Sequence, residues 1–86
     1  MHKVIHCRIN MFDANALIMV EEDGVIKEED KIYIPLNKLD KELPAIAKKY
    51  NCNKIHFIGH TQFTKGIAGN LKKNNLEFST LEVEVN

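Results

Sequence analysis

The stretch KIHFIGHTQFTKG, Lys54 to Gly66, decides the fold. Its first five residues alternate, with Ile55 and Phe57 on one side and His56 on the other, as a half-buried strand requires. Gly59-His60 breaks that period. From Thr61, a residue able to cap a helix, Phe63, Ile67 and Leu71 recur at helical spacing until Asn74-Asn75 stops the run. The closing segment FSTLEVEV alternates again and reads as a strand. A strand, a helix and a second strand in close succession imply parallel pairing through a crossover.

Upstream of Lys54 the pattern is also helical. Leu39, Leu43, Ile46, Ala47 and Tyr50 form one stripe, which NCN (Asn51–Asn53) ends. Asn37 is the expected N-cap, with Asp40 near the positive end of the helix dipole. Pro44 implies either a kink or a regular helix that starts close to it. The N-terminal third reads as antiparallel strands. In KVIHCRINMF, Lys3 to Phe12, Ile5, Cys7, Ile9 and Met11 point to the core, and Val4, His6, Arg8, Asn10 and Phe12 point away. Asp13-Ala14-Asn15 turns the chain, ALIMVEE returns it, and Asp23-Gly24 is a hairpin signal because the favoured tight turn needs positive φ. A third strand ends in KIYIPL.

The element order is therefore β-β-β-α-β-α-β in one domain spanning residues 1–86, of α/β type with two layers. A meander followed by two right-handed crossovers predicts a mixed five-stranded sheet of order 3-2-1-4-5, with both helices on one face.

At 86 residues the chain can hold one core and buries a modest share of its surface, so a homo-oligomer is expected. Twelve basic and twelve acidic side chains balance to a net charge of zero, against the basic excess of a nucleic-acid binder. No run of apolar residues is long enough for a membrane span and no signal-peptide pattern appears, which points to the cytoplasm. Cys7 and Cys52 are expected as free thiols.

The sheet face away from the helices should collect His6, Arg8 and Asn10 from the first strand, His56 from the fourth, and Thr80, Glu82 and Glu84 from the fifth. His6 and His56 should come within reach of each other. This face has two readings: the plain solvent face of a two-layer protein, or a self-association surface to which Val4, Phe12, Ile58 and Phe78 add apolar area. His2 and His6 share a strand face but lie about 13 Å apart, too far for one ion. No metal site and no cofactor are assigned.

In open sheets, ligands favour the C-terminal edge of the strands where the strand order reverses. The candidate ligand residues there are Asp13 and Asn15 on one loop and Gly59, His60, Thr61, Gln62, Thr64 and Lys65 on the other. Gly59 would allow close backbone approach, and the first N–H groups of the helix would suit a small anion such as a nucleotide. In the structural reading, Thr61 caps and Gly66 and Gly69 let the helix pack tightly on the sheet. The GxxxxGK[ST] pattern of a phosphate-binding loop is missing.

The element order resembles the minimal core of the ribonuclease H-like and actin-like folds over nearly the whole chain. HCRINMFDAN, KKYNCNKIHFIG and LEVEVN also look like the short uncharacterised proteins common in phage genomes, which implies a viral origin, a host cytoplasm and a host factor as partner. A ribonuclease H-like nuclease needs several carboxylates around two metal ions. Here Asp13 alone stands near such a position, and Gly59-His60 occupies another. The first hairpin, FDANA, lacks the glycines with which actin-like proteins hold phosphates. Cys7 faces away from His6, which removes a cysteine–histidine nucleophile. The residues thus favour a non-enzymatic binding or assembly module. The alternative is a metal-dependent phosphohydrolase or nuclease using Asp13, His6, His56 and His60.

Overall fold

The computed structural model describes residues 2–27, 31–59, 61–73 and 76–81, with the side chains at 61, 62, 64, 68, 70 and 77–81 outside that description. Strands β1 (Lys3–Asn10) and β2 (Asn15–Glu22) pair antiparallel from Lys3↔Glu22 to Asn10↔Asn15. At the far end of β2, Asp23 and Gly24 take φ values of 51° and 86°, the pair of positive angles that a tight hairpin turn demands. His2 N–H donates to Asp23 Oδ1 at 2.9 Å and Asp23 N–H to the His2 carbonyl at 2.8 Å, which ties the turn to the chain start.

The single third strand expected next is two pieces. Strands β3 (Val25–Ile26) and β4 (Ile32–Pro35) both pair antiparallel with β2. A 3₁₀ turn, Leu36–Lys38, then leads into α1 (Leu39–Lys49), followed by β5 (Lys54–Ile58), α2 (Thr61–Lys73) and β6 (Glu77–Leu81). β5 runs parallel to β1, and β6 parallel to β5. The sheet order is β3-β2-β1-β5-β6 with β4 also on β2. With β3 and β4 counted as one interrupted strand, this is the order 3-2-1-4-5 that the sequence predicts.

The core lies between one sheet face and the two helices. Ile5, Cys7 and Ile9 of β1, Ala16, Ile18 and Val20 of β2, and Ile55 and Phe57 of β5 alternate into it. Leu39, Leu43, Ile46 and Ala47 of α1 and Leu71 of α2 close it, with Tyr50, Phe63 and Ile67 packed around them. Both helices thus cover the same face. No helix among the described residues is long and apolar enough to cross a membrane.

Several local expectations are corrected. Met11 is in the turn after β1 rather than the core and is 49% exposed, because strand alternation stops at Asn10. Asn37 lies in the 3₁₀ turn; Lys38 precedes α1, with no side-chain cap bond. Asp40 and Glu42 do stand in the first turn, and α1 runs through Pro44. Thr61 is the first residue of α2, and its side chain, with the cap expected of it, lies outside the described residues. In β6 the register pairs Phe78 with Ile55 and Thr80 with Phe57, and the faces expected for their side chains lie outside the described residues.

Gly66 and Gly69 are also not packing glycines. Both are exposed, and a Cβ added at either would meet nothing within 4 Å. Neither holds a left-handed backbone. Glycine inside a helix is less favourable than alanine by about 1 kcal/mol, because it keeps more freedom when unfolded. Gly66→Ala and Gly69→Ala should therefore each raise stability by roughly 0.5–1 kcal/mol, read as a higher urea midpoint at unchanged slope.

Candidate functional site

The C-terminal end of β1 carries the chemistry that the fold leaves exposed. Asn10 is the last residue of the strand, and its side chain braces the turn that follows. Asn10 Nδ2 donates to Asp13 Oδ2 at 3.0 Å, and Asp13 N–H donates to Asn10 Oδ1 at 3.1 Å. The positive φ of this turn falls on Ala14, at 53°, rather than on either flanking polar residue. The Ala14 carbonyl accepts from Leu36 N–H at 3.0 Å, which docks the turn against the end of β4. Polar bonds therefore hold the turn, and its apolar side chains are left outside. Phe12 is 99% exposed.

Beside it, Arg8, Ile9, Asn10, Met11, Phe12, Asn15, Leu17 and Tyr33 line a groove of about 610 Å³. Arg8 and Leu17 face each other across the β1–β2 pair, and Tyr33 is the partner of Leu17 on β4. Tyr33 is 70% exposed. Arg8 makes no hydrogen bond or ion pair among the described residues. The groove thus combines two exposed aromatic rings, a free guanidinium and two amides.

Further along the same open face, His6 and His56 are register partners, as expected, with ring centroids 5.5 Å apart and planes tilted by 45°. Glu21, which was not anticipated, completes this cluster: its Oε1 lies 3.1 Å from His6 Nε2. The signal for it was available, since Leu17, Met19 and Glu21 alternate against the buried Ala16, Ile18 and Val20 of β2. Among the described residues no three His, Cys, Asp or Glu side chains are grouped to hold a metal ion.

The expected ligand residues divide into two sets. Asp13 and Asn15 lie at the exposed turn, Asn15 in the wall of the groove. On the second loop, Gly59 takes φ +82°, a conformation that glycine alone adopts without strain. Close approach is not the reason for it, because a Cβ there would sit 3.6 Å from the Ile9 carbonyl, in ordinary contact. Lys65 is exposed on α2. His60 and the side chains of Thr61, Gln62 and Thr64 lie outside the described residues, as do Glu82 and Glu84 of the expected interface. Two further grooves, around Asn51–Asn53, are at the opposite end of the parallel strands.

Cys7 and Cys52 are free thiols, both buried. Cys52 Sγ donates to the carbonyls of Lys3 and Lys54 at 3.3 and 3.5 Å. Cys7 is fully enclosed by the core, and desolvation pushes its thiol from 9.0 up to about 12. A thiol held neutral in this way is not a nucleophile at neutral pH.

The chain matches no family model and no curated protein. Among solved structures it is similar to a Bacteroides thetaiotaomicron VPI-5482 protein described as having an actin-like ATPase fold and unknown function. The TM-score is 0.71 at 15% sequence identity, over 92% of this chain. The chain spans about a third of that protein, 32% of its length. At this identity the likeness concerns the fold: the element order that resembles actin-like cores in the sequence is the one shared in space.

The Cys7 environment has a consequence for stability. Its pKa is higher folded than unfolded, so the stability it contributes is complete below pH 9 and is lost as pH rises towards about 12. Unfolding free energy should fall through that window by up to about 1.4 kcal/mol per pH unit more in the native chain than in Cys7→Ala. Urea titrations of both proteins at successive alkaline pH values check this, and parallel pH profiles would contradict it.

Proposed function

We propose that this chain is a non-enzymatic binding and assembly module, homo-oligomeric, that works through the C-terminal end of β1 and the adjoining open sheet face. The observation that carries the reading is Phe12, almost wholly exposed on a turn held by other residues and flanked by Met11, Tyr33, Leu17 and Arg8 around one groove. Aromatic residues, methionine and arginine are the side chains enriched where proteins meet. Scattered exposed apolar residues need no explanation, but a cluster about a groove does. The groups a catalytic reading would use are occupied differently: Asp13 is bonded to Asn10, and His6 to Glu21. The likeness to short phage proteins would make a host factor the natural second partner, in the host cytoplasm.

A second reading rests on Gly59. Its left-handed backbone leads into the first turn of α2 at the same strand edge, and the similar solved structure is described as an ATPase fold. A small anionic, nucleotide-like ligand at Gly59 to Lys65 is the corresponding proposal.

Sedimentation equilibrium of the purified chain from low to high micromolar concentration separates the two. The assembly reading expects a mass that rises above the 9.9 kDa of one chain. ATP and ADP should leave the melting temperature unmoved. A single 9.9 kDa species throughout, joined by a saturable rise in melting temperature with nucleotide, would replace assembly with ligand binding.

A further inference from the structure

Resting on the assembly reading above, we infer that the groove beside Phe12 is occupied by a second copy of this chain. The two copies meet across a two-fold axis that seats Phe12 of each between Leu17 and Tyr33 of the other, and pairs Asp13 of each with Arg8 of the other. The surface has the shape this requires: knob and hole lie side by side. Phe12 makes almost no contact with its own chain, and the groove of about 610 Å³ opens next to it. In a contact between identical patches, whatever residue i does to residue j is done in return. A knob adjacent to its own hole satisfies that condition with one surface.

Charge points to the same occupant. Arg8 lines the groove and has no anionic partner among the described residues. Asp13 follows Phe12 directly in the chain, is exposed, and is bonded only to the neutral amide of Asn10 among the described residues, so its charge is also uncompensated. Asp13 and Arg8 lie at the same end of the molecule without pairing there. A Phe12 ring entering a neighbour's groove brings its own Asp13 towards that neighbour's Arg8, and symmetry forms the pair twice. A small anion would satisfy Arg8 alone and leave Phe12 and Tyr33 in water. The remaining large exposed apolar residues, Val25, Ile26 and Ile32, lie on β3 and β4. Of these, Ile26 is the partner of Glu21 and shares the open face with Tyr33, while Ile32 is the partner of the buried Ile18 and stands on the other face.

The test is a charge exchange read by sedimentation, with circular dichroism and thermal unfolding as fold controls. Arg8→Glu and Asp13→Lys should each be monomeric at concentrations where the native chain is dimeric, because each homodimer would set like charges together. An equimolar mixture of the two should recover a heterodimer. In it the introduced carboxylate meets the introduced ammonium, while native Arg8 and Asp13 pair at the symmetric position. Phe12→Ser, which removes nothing the fold uses, should weaken association on the order of tenfold or more at an unchanged melting temperature. It carries the test if Asp13→Lys fails to fold. A native chain that dimerises while all three variants dimerise equally overturns this contact and leaves assembly standing. So does a mixture that stays monomeric. A native chain that never leaves the monomer overturns the assembly reading itself.

Discussion

The parallel register of β1 against β5 is the constraint on which the rest of the molecule depends. Ile5 stands beside Ile55 and Cys7 beside Phe57, and all four are buried. Parallel neighbours cannot be joined by a tight turn, so the chain must leave the sheet and return, and α1 is that connection. The parallel pairing of β6 on β5 repeats the requirement with α2. Both helices close over Ile5, Cys7 and Phe57. A fully buried phenylalanine contributes about 1.5–3 kcal/mol by its transfer from water. The small Cys7 next to it keeps that row filled, since protein interiors are as dense as organic crystals.

The same register fixes what the other face holds. If Cys7 and Phe57 point to the helices, then His6, Arg8, His56 and Ile58 must point away, because side chains alternate strictly along a strand. That face is neither a clean solvent surface nor a second core. Glu21 and the two histidines make a half-buried polar cluster near its middle. Leu17, Met19 and Ile58 are partly buried on the same face, Met19 beside His6, Ile58 beside Arg8 and Leu17 in the wall of the groove. Apolar exposure is greatest at one corner, where the β1–β2 turn approaches the β4 edge. The polar centre suits contact with water, and the corner does not.

How much of this was legible in the sequence follows from the range of the interaction that decides each feature. Strands, helices and the sheet order were readable because period and crossover rules are local or topological; Asp23-Gly24 and the pairing of His6 with His56 came from the same source. Boundaries were less legible. Alternation continues on paper through Met11 and Phe12, but Asn10 ends the strand by bonding to Asp13, and nothing in the period reveals that bond. The third strand was read as continuous, although it pairs with β2 in two pieces. Nothing in the sequence marks Tyr33 and Leu17 as site residues, because their meeting with Phe12 depends on the pairing of β4 with β2, a long-range fact.

The β1–β2 turn is hard to account for by the stability of a single copy. Ala14 holds a left-handed backbone at φ 53°, which for a residue with a Cβ costs roughly 1–2 kcal/mol relative to glycine. Phe12 gains almost nothing from the fold, and exposing a large ring to water favours aggregation over solubility. A turn optimised for the monomer would carry glycine at position 14 and a polar residue at position 12. The bonds from Asn10 and Leu36 nevertheless hold this turn in one conformation, so the exposed ring is presented from a fixed base. A fixed aromatic knob loses less freedom on docking than a mobile one, and preorganisation of that kind lowers the cost of association. Strain in the turn and exposure of the ring are thus costs that a single copy does not recover, and the proposed two-fold contact would offset both.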